Sequence, residues 1–252
     1  MNYLYTGDIQ KLGLDDLLSL DPKEIGDYNF QATDLIHIAK TLGAYWHYDY
    51  DAAYKWGKLG LHAELKSGVH SDEMFVSKIL LKPTNILEII AAEMARKIRG
   101  KLDNVRPDWI AGIPDGATKL GEAVAQSLYV KNIRMKKIRG RIIFDEDVPA
   151  ISTGLFVEDF FTRGTGVVEA VKLLYEVQSN AKVLKYNPVI LNRGGASTFY
   201  IPGIGTCWNL PLATRKANDW LVKDCPLCAM GSEAIKPKAT DENWEAITTS
   251  QL

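Results

Sequence analysis

The chain reads as an α/β protein with a mostly parallel central sheet flanked by helices, and three observations predict this. Residues 108–113 form a short apolar run that Pro114-Asp115-Gly116-Ala117 turns into a helix with Leu120, Val124 and Leu128 on one face. Residues 155–168 repeat the plan: an apolar run, a Gly/Thr loop, then a helix whose Val167, Val171, Leu174 and Val177 share a face. A third apolar stretch, Val183-Leu184 and Pro188-Val189-Ile190-Leu191, ends in Asn192-Arg193-Gly194-Gly195. Strand-loop-helix units at roughly 108–129 and 154–178, with strands before and after, build a parallel sheet whose ligands sit at the carboxyl ends of its strands.

Composition narrows the setting. With 252 residues, 46% hydrophobic and 24% charged, the chain can bury a sizeable core, and its net charge of −1 argues against nucleic acid or membrane as a partner. Residues 1–8 lack the basic region and apolar run of a signal peptide, and no apolar stretch is long enough to span a bilayer. Three cysteines make no disulfide framework. A cytoplasmic protein is expected.

From the N-terminus, turn signals surround short apolar clusters until Thr33 or Asp34 caps a helix carrying Leu35, Ile38, Ala39 and Leu42, which Gly43 ends. Tyr45, Trp46, Tyr48, Tyr50, Tyr54 and Trp56 then crowd together, as packing, a subunit contact or a platform for a base. His62 and His70 lack a convergent carboxylate pattern and read as structural. Asn85-Ile86-Leu87-Glu88 has the form of a capping box before a helix with Ile86, Ile90, Met94 and Ile98 on one face. Residues 133–144 suit a basic hairpin, either a mobile lid or a solvated surface. Cys225-Pro226-Leu227-Cys228 is a zinc half-site, but with Cys207 the chain offers only three thiols. Packing of reduced thiols is therefore the expectation, with zinc and redox chemistry as alternatives and no metal site assigned. From Gly231 onward the chain reads as a surface tail pinned by Trp244.

The stretch 155–168 carries the chemistry. Glu158 and Asp159 stand where a buried strand would leave the sheet. The Thr162-Arg163-Gly164-Thr165-Gly166 loop can aim backbone N–H groups inward, and the following helix adds the positive end of its dipole. Carboxylates accept hydrogen bonds from hydroxyls but repel phosphate, so a cradle beside an acidic pair suits a ligand with a cis-diol and a phosphate. A ribose 5-phosphate is the natural candidate.

Val157-Glu158-Asp159-Phe160-Phe161-Thr162-Arg163-Gly164-Thr165-Gly166 resembles the phosphoribosyl pyrophosphate signature of the type I phosphoribosyltransferases, with Arg163, Thr165 and Gly166 departing from its usual small, glycine and hydroxyl positions. Leu65-Lys66-Ser67-Gly68-Val69-His70-Ser71-Asp72-Glu73-Met74-Phe75 is similar to a nucleobase-proximal segment of the orotate phosphoribosyltransferases, and Asn192-Arg193 to a strand end in the same family. The resemblance covers residues 60 to 200. It implies the type I phosphoribosyltransferase fold, with a hood built from N-terminal segments and a short C-terminal extension, divided as 1–60, 61–205 and 206–252. It further implies a homodimer that transfers the phosphoribosyl group to orotate with Mg²⁺. Asp159 and Glu158 would hold the ribose, Lys136 or Lys137 would serve as the lid lysine, and Thr162, Arg163, Gly164, Thr165 and Gly166 would take the 5-phosphate. Asp115, Gly116 and Ala117 would take pyrophosphate, and Lys66, Phe75 and Arg193 an anionic pyrimidine base. Transfer to another nucleobase, or binding of phosphoribosyl pyrophosphate without turnover by a regulator, are the rival readings.

Overall fold

The computed structural model describes residues 7–25, 28–102 and 105–252. These fall into two compact units, each made of two separate stretches of chain: Met1–Ile38 with Leu80–Lys216, and Ala39–Ile79 with Ala217–Leu252.

The first unit is built on a seven-stranded sheet. Its middle strand, Thr153–Phe161, pairs in parallel with Trp109–Gly112 on one side and Tyr186–Asn192 on the other. Covered on both faces, this strand is apolar at Leu155-Phe156-Val157 and again at Phe160-Phe161, with Glu158 and Asp159 between them. Lys131–Asn132 extends the sheet beyond Trp109–Gly112, and Gly205–Thr214 extends it beyond Tyr186–Asn192, both in parallel. The edge strand Thr198–Ile201 is antiparallel, because a tight hairpin joins it to Gly205–Thr214.

Helix Thr165–Val177 buries Val167, Ala170, Val171 and Leu174 in a cluster with Trp109, Ala111, Ile113 and Phe156. The pleat sends alternate residues to opposite faces, so this odd-numbered set from Trp109–Gly112 and its continuation defines the face under that helix. Helix Thr118–Leu128 follows the turn after Trp109–Gly112 as expected, with Leu120, Val124 and Leu128 buried. The basic hairpin forms as Met135–Ile138 paired with Arg141–Phe144. Helix Thr84–Leu102 exists, but its expected capping box does not. Asn85 lies inside the first turn and donates its amide to the carbonyls of Leu17 and Leu20, at 2.8 and 3.0 Å.

The second unit contains a four-stranded sheet in which Leu61–Glu64 lies between His70–Ser71, antiparallel, and Glu233–Ile235, parallel. Here the chain departs from the expected surface tail. Glu233–Ile235 is a paired strand, and helix Asp241–Thr249 is capped by Thr240 and buries Ile247. Trp244 does pin the segment, donating its indole N–H to the Gly43 carbonyl at 2.9 Å. The expected division into 1–60, 61–205 and 206–252 is likewise replaced. A boundary at 205 would cut off Gly205–Thr214, which pairs with Tyr186–Asn192 along its length. The N-terminal region is itself divided: residues up to Ile38 belong to the first unit, and those from Ala39 share the second with Ala217–Leu252. Pairing between segments so distant in sequence has no local signature. No helix among the described residues is long and apolar enough to cross a membrane.

Candidate functional site

In the first unit the carboxyl ends of two adjacent parallel strands, Trp109–Gly112 and Thr153–Phe161, feed two loops, each leading into a helix. The loop after Thr153–Phe161 ends at Gly164, whose φ of +73° is left-handed and whose Cα faces the Phe161 ring. A side chain there would be strained and crowded, so glycine is required. Thr165 is the first residue of the helix, with ordinary helical backbone. Among these loop residues the left-handed φ falls on Gly164, so Thr165 is not asked for one. Gly166 has a different reason: a Cβ would lie 2.6 Å from Glu158 Oε1. Small residues at the start of a 13-residue helix leave the Thr165 and Gly166 N–H groups directed toward the loop, while the Val167 N–H is taken from beneath by Glu158.

The two carboxylates face opposite ways, as neighbours on a strand must. Glu158 lies under the cradle helix, where it accepts from the Val167 backbone N–H and from Asn187 Nδ2, the latter at 3.3 Å. Asn187 continues this contact to Asn209 Oδ1 at 3.0 Å, and Asn209 donates to the Ala196 carbonyl, so a buried polar ladder crosses three parallel strands. Burial, above all, pushes the Glu158 carboxyl up to about 7, and the Asp159 charge adds to the shift. The Asn187 amide, the Val167 N–H and the Lys137 charge oppose it. Asp159 is half-exposed; its Oδ1 accepts from the Phe160 N–H at 2.9 Å, and its carboxylate presses against Gly116 so closely that a Cβ there would overlap it. Asp115, Gly116 and Ala117 form the second loop, with a cis peptide between Pro114 and Asp115.

At the neighbouring strand end, the backbone N–H groups of Arg193 and Gly194 donate to the Phe161 carbonyl at 2.8 and 3.1 Å. This places Arg193 beside the start of the Thr162–Arg163 loop. Asn192, where the family carries aspartate, holds the turn itself: Oδ1 accepts from the Gly195 N–H and Nδ2 donates to the Ala196 carbonyl. On the basic hairpin, Lys136 is bound to Asp145 across the strands, while the charge of Lys137 acts on Glu158.

This architecture has relatives of known structure. An orotate phosphoribosyltransferase from Aeropyrum pernix superposes with a TM-score of 0.54 at 19% identity, covering 71% of this chain and 93% of that one. The UMP synthase of Leishmania donovani gives 0.52 at 16% identity, covering 86% and 41%. The fold is that of the type I phosphoribosyltransferases. In sequence, the type I phosphoribosyltransferase-like chain resembles curated orotate phosphoribosyltransferases. It is 26% identical to that of Carboxydothermus hydrogenoformans over 183 residues, covering 70% of this chain and 88% of the relative. With that of Nitratiruptor sp. it shares 28% over 187 residues, covering 70% and 90%. No family model matches the chain.

Within this type I fold, the first unit gathers Glu158, Asp159, the 162–166 loop, the 115–117 turn, Lys137 and Arg193. Lys66 and Phe75 belong to the second unit. Lys66 is exposed near the tip of the hairpin formed by Leu61–Glu64 and His70–Ser71. Phe75 differs from the expected base platform: it is 1% exposed and its ring packs 4.3 Å from that of Tyr45, in the strand pair joining 45–47 to 73–75. The Tyr45, Trp46, Tyr48 and Tyr50 group lines an open cleft of about 530 Å³ in the same unit. One group reads from the sequence only as separate halves, the histidines as structural and the Cys-x-x-Cys pair as packed thiols with zinc as an alternative. His62, His70, Cys225 and Cys228 converge in the second unit, with their ligand atoms all within 4.8 Å of one another. The Cys-x-x-Cys spacing was the visible half of that signal; the histidines are brought in by strand pairing.

Proposed function

We propose that the chain is an orotate phosphoribosyltransferase, transferring a 5-phosphoribosyl group from phosphoribosyl pyrophosphate to orotate with release of pyrophosphate. The observation that carries this reading is the seating of the Asp159 carboxylate against the Gly116 turn, one strand from the open helix N-terminus at Gly164. A phosphate at the 162–166 loop would be met by backbone N–H groups and the helix dipole. Asp159 would accept hydrogen bonds from ribose hydroxyls and face the positive charge that develops on the sugar as the anomeric bond breaks. The 115–117 backbone and Lys137 would meet the departing pyrophosphate. No protein nucleophile is needed, because the two reactants, held in line and shielded from water, react directly with each other. Glu158, buried and with its carboxyl pushed up to about 7, would support the cradle from beneath.

Mg²⁺ belongs to this reading. The carboxylate oxygens of Asp159 and Asp115 are the hard donors it prefers, in company with substrate phosphates and water. When bound, it supplies charge neutralisation for the pyrophosphate group. The names of the relatives support orotate as the base, and the resemblance assigns Lys66 and Arg193 to it. A homodimer in the cytoplasm completes the proposal; three unpaired cysteines agree with a reducing compartment. Binding of phosphoribosyl pyrophosphate without turnover is the second reading, favoured by the engagement of the expected lid residue Lys136 with Asp145.

Pyrophosphate release measured against orotate, uracil, adenine and hypoxanthine separates these possibilities. Orotate should react and uracil should not, since uracil would leave a cationic group poorly paired at a cost of about 1–3 kcal/mol or more. Lys66→Met and Arg193→Met should each raise KM for orotate and leave phosphoribosyl pyrophosphate binding largely unchanged. Equal rates with uracil or a purine would overturn the choice of base, and binding without pyrophosphate release from any base would favour the regulator.

A further inference from the structure

The second unit holds four side chains whose arrangement goes beyond packing. His62 lies in strand Leu61–Glu64 and His70 in its antiparallel neighbour His70–Ser71, and their rings stand 4.8 Å apart, edge to face. Cys225 immediately precedes the short helix Pro226–Ala229, and one turn brings Cys228 round to the same point. His62 Nε2 lies 2.9 Å from His70 Nδ1, 3.5 Å from Cys225 Sγ and 3.4 Å from Cys228 Sγ, and Cys228 Sγ lies 3.2 Å from His70 Nδ1. Around a tetrahedral zinc, bonds of about 2.3 Å to sulfur and about 2.0–2.1 Å to nitrogen set neighbouring donors roughly 3.3–3.8 Å apart. The sulfur-to-nitrogen spacings meet or closely approach that range, and the nitrogen pair is somewhat tighter.

Ser232 identifies which imidazole nitrogen is free to bind. Its hydroxyl donates to the Gly60 carbonyl at 3.0 Å, so toward His62 Nδ1, 2.9 Å away, it can only accept. His62 Nδ1 therefore carries the proton, and the Nε2 lone pair points into the cluster. His62, His70 and Cys225 are buried, and only Cys228 has partial exposure. Inside this buried group the His62 lone pair faces His70 Nδ1 and the two thiol sulfurs, all within 3.5 Å. Two thiolates and two neutral imidazoles, converging from four sides, match the donor set zinc takes in closed structural sites.

We propose that His62, His70, Cys225 and Cys228 form a tetrahedral structural zinc site that fastens the C-terminal segment to the hairpin bearing Lys66. A closed set of four protein ligands leaves no position for a substrate, so the site's effect is on folding. The unit has reason to use such a fastening. It is assembled from two distant stretches, Ala39–Ile79 and Ala217–Leu252, and a core of under about 80 residues commonly relies on a metal or disulfide staple.

The test uses the full chain, purified under reducing conditions. Elemental analysis should find about one zinc per chain. Removing it with a chelator should lower the melting temperature, Zn²⁺ should restore it and Mg²⁺ should not. Co²⁺ added to the stripped protein should give tetrahedral ligand-field bands with thiolate charge transfer. Cys225→Ser and His70→Ala should each lose most of the bound zinc, while Cys207→Ser, in the other unit, should retain it. Because ligand variants can misfold, the wild-type titration decides independently: a folded, reduced chain that holds no zinc and takes up no Co²⁺ overturns the site. Full zinc retention by folded Cys225→Ser overturns it equally. Neither result bears on the phosphoribosyl pyrophosphate site, whose residues the pyrophosphate assay tests separately.

Discussion

Asp159 and Glu158 are adjacent, yet the pleat gives them different environments and different expected behaviour. Asp159→Asn keeps an oxygen for the Phe160 N–H, so the fold should persist, while transfer should fall by the equivalent of about 2–4 kcal/mol of barrier. Circular dichroism together with the rate of pyrophosphate release checks both parts, and near-normal turnover would remove Asp159 from the mechanism. Glu158 bears on stability. Its carboxyl is raised by burial from an ordinary 4.5 to about 7 in the folded chain, so between those values the folded state holds a proton that the unfolded state has released. Its contribution is thus fully present below about pH 4.5 and declines until pH passes about 7, a total of up to about 3 kcal/mol. Glu158→Gln should flatten that part of the stability profile and gain on the wild type above pH 7. Parallel urea melts of the two proteins from pH 5 to 8 would show it, and identical profiles would mean that Glu158 ionises normally.

The cradle helix Thr165–Val177 and its loop form the element on which phosphate binding depends. Thr165 is exposed and helical, so Thr165→Gly relieves no backbone strain and should leave phosphoribosyl pyrophosphate affinity unchanged or slightly weaker, within the roughly 1 kcal/mol glycine can cost a helix. Gly166→Ala is the contrasting change. Its Cβ would crowd Glu158 Oε1 at 2.6 Å and Ile113 at 3.1 Å, moving the helix start off the sheet. Affinity should fall by about tenfold or more, on the scale of 1–3 kcal/mol for overpacking. Calorimetric titration of both variants distinguishes a backbone cradle from one that uses the Thr165 hydroxyl, since the latter would make Thr165→Gly the more damaging change.

At the scale of the molecule, each unit is closed by chain that returns from far along the sequence. In the second unit, strand Glu233–Ile235 supplies one neighbour of Leu61–Glu64, and Ile247 of helix Asp241–Thr249 joins the cluster of Trp46, Tyr48, Met74 and Leu227. Ending the chain after residue 230 should therefore expose the backbone of 61–71 and empty part of that core. Hydrogen exchange should show lost protection across 61–71, while Thr153–Phe161 and Thr165–Val177, in the first unit, keep theirs. Full protection of 61–71 in the shortened chain would show that the C-terminal segment is dispensable to the fold.

By itself, the sequence determined the elements whose signals are local. The apolar run into Pro114-Asp115-Gly116-Ala117 and the run into Thr162–Gly166 each marked a strand, a turn and a helix within about 25 residues, and the parallel sheet followed from their alternation. The carriers of the candidate phosphate site were legible for the same reason. Tertiary structure decided what depends on residues meeting from a distance. It turned Phe75 toward Tyr45, tied Lys136 to Asp145, raised the Glu158 carboxyl by enclosing it, and made a paired strand of Glu233–Ile235. It also brought His62 and His70 to Cys225 and Cys228. The hydrogen-bond register that joins those histidines across a hairpin, and the parallel pairing that carries the cysteine segment back to it, are set by the burial of whole faces. No short spacing in the chain records them.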